Sequence, residues 1–405
     1  MARSLGLAAY MALARRADPA AMWRLTSPRP SGKVIWGQAT SPQRLAMLCH
    51  LWSRLAAQRP ELSLVLTCME ASVPQRMPIG VTLEALPPES VKDIAQFLDH
   101  IRPDLCLWTG GHLRPALIAE AGERNVPLML VDADDTALDD RGFRWLPDVP
   151  RATLRRFDQV FAASANAAQR LLRMGVAPDV MTMTGPLEAS SAVLPFSEAE
   201  RDRLAQLLTG RPVWLAARIT LEEAEAALRA HRQSLRGAHR QLLILVPEAE
   251  EDGDAIAAQI EAEGWRSARW SRGEVPSEAT QVLLADTAGD LGLWYRLAPV
   301  TFLGGSLVSG VGGRDPFEAA ALGSAILYGP NVGRYLAAYS RLASVGAARI
   351  VKDAETLAGA VQRLSAPDQA AAMAHAAWEV VTQGAEATDR LLDLLQDTLD
   401  LAEVA

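Results

Sequence analysis

The sequence predicts an α/β protein of two Rossmann-like domains, and three observations carry that expectation. The chain has 405 residues, more than one ordinary core organises, so two domains are the default. Short apolar runs alternate with amphipathic helical stretches in both halves, the pattern of parallel sheets covered on both faces. Residues 301–335 then read TFLGGSLVSGVGGRDPFEAAALGSAILYGPNVGRY, a strand, a glycine-rich loop, a helix and a second strand in succession.

Hydrophobic residues make up 49% of the chain and charged residues 22%, the balance of a soluble globular protein. A net charge of -8 argues against a general nucleic-acid binder, which is normally basic. Cys49, Cys68 and Cys106 are scattered and lack metal-ligand spacing. They read as thiols of a reducing compartment, not as a disulfide framework. Residues 1–30 form a leading segment whose stretch Leu5 to Ala14 is apolar, ends at Arg15-Arg16 and is too short to span a bilayer. It suits an interfacial helix lying on a membrane, a plain amphipathic helix, or a signal-peptide core with Ala12-Leu13-Ala14 as the small-residue site.

The first domain is expected over residues 31–190. Lys33 to Trp36 reads as its first strand, Gly37 to Gln43 as a turn and Arg44 to Ala57 as a helix. Leu62 to Thr67, Val81 to Leu83, Asp104 to Trp108, Pro127 to Val131 and Val160 to Ala163 are further strands, with Ser90 to Ile101 a helix between them. In such a sheet ligands sit beyond the carboxyl ends of the strands, so the loops after Trp36, Trp108, Val131 and Ala163 are the ones to inspect. One of these loops holds Asp132, Asp134, Asp135, Asp139 and Asp140. That run suits either a hard divalent cation or, the favoured reading, a solvated acidic loop with capping residues; no metal site is assigned. His112 is the titratable residue here with a plausible base role, against the ordinary reading of a loop histidine.

After a linker around Ala192 to Glu198, the second domain is expected over residues 195–405. Val213 to Ala216, Leu242 to Val246, Gln281 to Leu284, Val300 to Leu303 and Ala325 to Tyr328 read as strands, and Leu221 to Arg236 as a long helix. The last helices are expected over Glu355 to Leu364 and Gln369 to Leu401, packing partly back on the first domain. Gly304, Gly305 and Ser306 follow a strand directly, a turn that lets backbone approach a ligand and offers N–H groups to an anion. Asp315 is placed to cap a helix beginning at Pro316, and Glu318 lies in its first turn, where a ribose would find a bidentate acceptor. An ordinary strand–loop–helix–strand unit is the plain alternative. Asp286 and Thr287, followed by Gly289, mark another helix start.

These landmarks resemble the Kdo (3-deoxy-D-manno-octulosonic acid) transferases of lipopolysaccharide synthesis. The family shows Gly-Gly-Ser, then Gly-Gly-His-Asn-Pro-x-Glu, then Gly-Pro; here stand Gly304-Gly305-Ser306, Gly312-Gly313-Arg314-Asp315-Pro316 with Glu318, and Gly329-Pro330. Gly273-Glu274-Val275-Pro276-Ser277 and Asp286-Thr287-Ala288-Gly289-Asp290 match as well. The resemblance covers nearly the whole chain. It implies a GT-B type glycosyltransferase whose two Rossmann-like domains face a cleft, working without a cofactor. Gly304, Gly305, Ser306, Asp315, Glu318, Asp286, Thr287 and Gly289 would meet a CMP-linked sugar donor. A lipid A-like acceptor, a peripheral place on the cytoplasmic face of the bacterial inner membrane and a membrane-surface anchor are implied in the same way.

The resemblance weakens at polar positions in several loops. The family's Ser-x-Gly-Glu, whose Glu is the expected base, becomes Ser41-Pro42-Gln43-Arg44, and an arginine does not accept a proton. Glu-Thr-Glu-Leu-Trp-Pro becomes Gly110-Gly111-His112-Leu113-Arg114-Pro115, and Asn-Ala-Arg becomes Asp132-Ala133-Asp134. Gly-Ser-Thr-His becomes Ala217-Arg218-Ile219-Thr220, while Pro247-Glu248-Ala249 stands where an Arg-His pair would meet phosphate. The basic residue of Thr-Gly-Asn-x-Lys is likewise replaced by Glu188. Ser41, His112 or one of Asp132, Asp134 and Asp135 would have to replace the base, and Arg218 or Arg314 the lost positive charge. A Kdo transferase is therefore the first reading. A non-catalytic relative that binds or scaffolds in lipopolysaccharide assembly is the alternative, and a two-domain sugar-nucleotide epimerase the third.

Overall fold

The computed structural model describes residues 4–18, 23–68, 77–134, 146, 148–187 and 194–404. It divides into two compact units, Met1–Ser190 with Gln383–Ala405, and Ser191–Thr382.

The first unit is built on seven parallel strands: β1 Lys33–Ala39, β2 Leu62–Cys68, β3 Val81–Ala85, β4 Leu105–Thr109, β5 Leu128–Ala133, β6 Gln159–Ala162 and β7 Met181–Met183. Their order is β3-β2-β1-β4-β5-β6-β7, so the chain runs outward from β1 and returns to its other side at β4. The second unit repeats the plan with β8 Val213–Ile219, β9 Leu242–Pro247, β10 Ser267–Arg269, β11 Val282–Leu284, β12 Val300–Leu303, β13 Ala325–Tyr328 and β14 Ala348–Ile350. The order β10-β11-β9-β8-β12-β13-β14 places its reversal between β8 and β12. In open parallel sheets a ligand crevice forms at this reversal, outside the carboxyl ends of the strands. The fold thus directs attention to the loops after β1 and β4 in one unit, and after β8 and β12 in the other.

Helices on both faces bury the central strands, which explains their uninterrupted apolar sequence, while the short strands β3, β7, β10 and β14 are partly exposed. β4 (LCLWT), β5 (LMLVDA) and β9 (LLILVP) are buried at every position. In the first core Trp36 packs edge-on against Phe97 and Trp108, with ring centroids 5.3 Å and 6.0 Å away, and its indole N–H donates to Thr67 Oγ1. The helix Leu5–Arg16 buries Leu7, Met11 and Ala14 in the same core and leaves Leu5 and Leu13 exposed. No helix among the described residues is long and apolar enough to cross a membrane.

The sequence-based expectation of two Rossmann-like parallel sheets is met, with local corrections. Gly37 to Gln43 is not a turn: β1 continues to Ala39 and the helix Pro42–Gln58 starts early. Gly37 pairs with Leu66 and Leu107 inside the sheet, and a Cβ there would lie 2.5 Å from the Leu66 side chain. The short strands β7, β10 and β14 escaped notice because three-residue runs carry too little pattern. The last helix is one piece, Pro367–Val404, whose Ala387, Leu391, Leu395 and Leu399 pack in the first unit's second core. Of the cysteines, Cys106 is buried, while Cys49 and Cys68 are only partly so.

Candidate functional site

In the second unit β12 empties into Gly304-Gly305-Ser306. A side chain at Gly304 would strike the Arg218 carbonyl oxygen at 2.4 Å, and Gly305 has φ +65, so both positions need glycine. The expected bare N–H groups of this turn are corrected by the structure. Glu223 Oε2 accepts from Gly305 N at 2.6 Å, and its Oε1 accepts from Ser306 N at 2.9 Å and Leu307 N at 2.8 Å. The chain supplies its own anion to the turn. Glu223 arrives there through a capping box, with Thr220 as N-cap of the helix Leu221–Ser234. Ser306 is also engaged: its hydroxyl donates to the Leu303 carbonyl at 2.5 Å and accepts from Gly329 N at 2.8 Å, locking the Gly329-Pro330 turn against β12.

The cations of this site stand beside the turn. Arg218, at the end of β8 with φ +54, donates from Nε to Glu248 Oε2 at 3.3 Å and places Nη1 3.9 Å from Glu318 Oε2. Arg314 Nη2 lies 2.8 Å from the other Glu248 oxygen. Asp315 caps the helix Pro316–Ala321 by accepting from Phe317 N at 2.9 Å, and Glu318 sits in that first turn. Burial pushes the Glu318 carboxyl above its usual range, with Arg218 pulling against it. Three buried polar atoms here, Tyr295 Oη, Arg314 Nε and Glu318 Oε2, have no hydrogen-bond partner among the described residues. Buried polar groups normally find a partner, so a water, an ion or a ligand group is expected at each. Asp286 is not an N-cap; it accepts from Arg269 Nε at 2.6 Å and from Ser271 N at 3.1 Å. Burial raises its pKa, but these bonds outweigh it and hold the carboxyl below its usual range. Thr287 donates to Asp290, the residue at the N-cap of the helix Leu291–Leu297, and Gly289 has φ +89 with open space around it.

In the first unit the loops after β1, β4 and β5 converge on Arg44. Its Nε donates to Asp132 Oδ2 at 2.9 Å, Nη1 to Thr40 Oγ1 at 3.3 Å, and Nη2 lies 3.8 Å from Asp134 Oδ2. The guanidinium lies flat against Gly110, where a Cβ would be 2.5 Å from Arg44 Cζ. Asp132 accepts a further bond from Leu187 N at 3.1 Å. Its burial raises the carboxyl pKa, opposed by Arg44 and the Leu187 N–H. Ser41 is the N-cap of the helix Pro42–Gln58, its oxygen accepting from Arg44 N at 3.3 Å. His112 is exposed with φ +49. Glu89 fills the N-terminus of the helix Pro115–Glu123, accepting from Ala116 N at 2.9 Å and pairing with Arg114 Nε at 3.1 Å. Asp135, Asp139, Asp140 and Glu188 lie outside the described residues. Among the described residues no group of three His, Cys, Asp or Glu side chains is arranged to hold a metal ion.

The sequence reading thus located Arg44, Asp132, Asp134, Arg218, Glu248, Arg314 and Glu318, and the structure joins them into two charge networks. It missed Glu223, legible in Thr220-Leu221-Glu222-Glu223 as a capping box, and Tyr295, which nothing in the local sequence distinguishes from a core aromatic.

The family model for 3-deoxy-D-manno-octulosonic-acid transferase matches residues 14–190. A 3-deoxy-D-manno-octulosonic acid transferase of Bordetella pertussis is 34% identical over 313 residues, 75% of this chain and 71% of that protein. The Haemophilus influenzae protein of the same name is 27% identical over 383 residues, 92% of this chain and 88% of its own. Among solved structures, MurG of Acinetobacter baumannii superposes with a TM-score of 0.52 at 14% identity, covering 90% of this chain and 99% of MurG. UDP-GlcNAc 2-epimerase of Neisseria meningitidis, bound to UDP-GlcNAc, gives 0.50 at 13% identity, covering 90% and 100%. The two structures speak for the GT-B fold alone. The sequence relatives go further, and they carry the conclusion that this chain belongs to the Kdo transferase family.

Proposed function

We propose that this protein is a glycosyltransferase that moves Kdo, or a related acidic sugar, from a CMP-linked donor to a lipid A precursor or a similar acceptor. The observation that carries this reading is the 34% identity to a Kdo transferase over 313 residues. Gly304, Gly305 and Ser306 shape the floor of the donor site, while Gly312 and Gly313, both with positive φ, keep its loop open. Arg218 and Arg314 supply the positive charge for the donor phosphate, and Glu318 with the Tyr295 hydroxyl supplies acceptors and a donor for the ribose. Asp315 positions that helix, and Asp286, Thr287 and Gly289 border the base side.

The acceptor belongs to the loops around Arg44 in the first unit. The protein works peripherally at the cytoplasmic face of the inner membrane. What supports this is the helix Leu5–Arg16, whose exposed Leu5 and Leu13 precede Arg15 and Arg16, a pairing that suits an anionic headgroup surface. Calorimetric titration with CMP and CMP-Kdo, with UDP as control, tests the donor assignment, and transfer from CMP-Kdo to a lipid A precursor tests the reaction. Selective CMP binding with transfer is expected. Absence of binding to any of the three nucleotides would overturn the reading, and CMP binding without transfer would favour a non-catalytic relative.

A further inference from the structure

We propose that Asp134 is the general base for the acceptor hydroxyl and that Arg44 is its positioning residue. This inference rests on the transferase reading above. The attacking alcohol must lose its proton as it bonds to the anomeric carbon, and the residue at the position of the family's carboxylate, Arg44, has no lone pair to accept one.

The acceptor-side groups near the β1/β4 reversal differ in fitness for the task. Ser41 is a neutral hydroxyl committed to a helix cap, accepting from Arg44 N at 3.3 Å. Asp132 is buried with both oxygens bonded, Oδ2 to Arg44 Nε at 2.9 Å and Oδ1 to Leu187 N at 3.1 Å, so protonating it would break a closed network. His112 is exposed, and among the described residues no hydrogen bond orients its ring. Asp134 combines the two required properties. Its side chain is 39% exposed, so a bulky alcohol can reach it, and its Oδ2 lies 3.8 Å from Arg44 Nη2. Its backbone is tied to the neighbouring loop by Asp134 N donating to the Gly110 carbonyl at 3.2 Å. Arg44 is itself immobilised by Asp132, Thr40 and the bare face of Gly110. A fixed cation beside an accessible carboxylate sets the charge and place of the base, the role of the third group in such arrangements.

In the step so assigned, an acceptor oxygen lone pair forms the new bond to the anomeric carbon of the sugar. The bond from that carbon to the phosphate oxygen breaks, its electron pair leaving on CMP. The hydroxyl proton ends on Asp134, which later returns it to solvent.

The test compares wild type, Asp134→Asn, Asp134→Ala and Arg44→Gln in transfer from CMP-Kdo to a lipid A precursor, with CMP affinity measured in parallel. Asp134→Asn is expected to lower kcat by about 10²- to 10⁴-fold, with acceptor KM and CMP affinity nearly unchanged. Added formate is expected to restore part of the turnover of Asp134→Ala, which a structural role would not allow and which keeps the test decisive if Asn lowers the folded yield. Arg44→Gln is expected to reduce kcat by a smaller factor at constant CMP affinity. Transfer by wild type together with Asp134→Asn retaining its kcat, or with no formate rescue, overturns this assignment alone. A wild type that does not transfer sugar overturns the transferase reading and this inference with it.

Discussion

Glu248 is the residue whose removal should improve the protein's grip on its donor. It stands between two guanidinium groups, 3.3 Å from Arg218 Nε and 2.8 Å from Arg314 Nη2, at the sheet reversal where the proposed donor would set its phosphate. A phosphate that recruits both arginines has to displace this carboxylate. The pairs are partly exposed, with side chains 34%, 28% and 12% accessible for Arg218, Glu248 and Arg314, so each is screened by water. An exposed pair contributes about 0–1 kcal/mol and a charged hydrogen bond in a half-buried setting about 1.5–3 kcal/mol. Much of that is recovered when Glu248 turns to solvent. Replacing Glu248 by Gln, which removes the charge and keeps the shape, should therefore strengthen CMP binding by about 1–2 kcal/mol, roughly 5- to 30-fold in Kd. Calorimetric titration of both proteins with CMP, at low and at moderate salt, measures it directly. The advantage should shrink at higher salt because the exposed part of the effect is screened. An unchanged or weakened CMP affinity in the variant would refute the reasoning. It would mean that Glu248 sets the two arginines in place for the phosphate instead of competing with it.

Three further perturbations follow from the same geometry. Glu223→Ala strips the acceptors from the N–H groups of Gly305, Ser306 and Leu307, and at about 1–3 kcal/mol for each unsatisfied donor should destabilise the second unit by at least about 3 kcal/mol. A thermal melt within a degree or two of wild type would contradict this. His231 is buried, accepting from Trp214 Nε1 at 3.1 Å and donating from Nε2 to the Gln281 carbonyl at 3.0 Å, and burial lowers its pKa from 6.5 to about 3. The unfolded chain binds a proton that the folded one refuses, so stability is full above about pH 6.5 and falls as pH drops towards 3, by about 5 kcal/mol in all. Urea unfolding followed from pH 7 to 4 should show this slope in wild type and a flatter one in His231→Gln; identical slopes would count against it. Gly110→Ala drives a methyl into Arg44 at a φ of +73 and should cost about 1–2 kcal/mol of stability, together with a clear loss of transfer. Wild-type turnover in that variant would show that the seating of Arg44 does not matter.

The sheets were readable in the chain because burial on both faces writes itself as continuous apolar runs. LLILV at 242–246 and VTFL at 300–303 have few other interpretations beside a glycine-rich turn. What the one-dimensional pattern could not carry was partnership. Gly304-Gly305-Ser306 has the signature of an anion-binding turn, and it does bind an anion, but the carboxylate comes from Glu223, which is 82 residues away from Gly305. Spacing rules reach only a helix turn or a hairpin, so an occupant supplied from another βα loop lies beyond them.

The same limit changes the meaning of the replaced polar residues. Taken singly, Arg44, Gly110 and Asp132 each look like the loss of a useful group. Folded together they depend on one another: the arginine needs the bare glycine to lie against and the aspartate to balance its charge. Arg218, Arg314 and Glu248 form a second interdependent set at the corresponding point of the other sheet. Charged groups withdrawn from water have to be balanced wherever they stand, so each set holds together as a unit. No member of either set can change alone without leaving a partner unbalanced. Reversing Arg44 to Glu in the wild-type background should accordingly impair the protein, because it sets a third carboxylate against Asp132 and Asp134. A gain in transfer from that single change would show instead that a carboxylate at this position can act without the surrounding set.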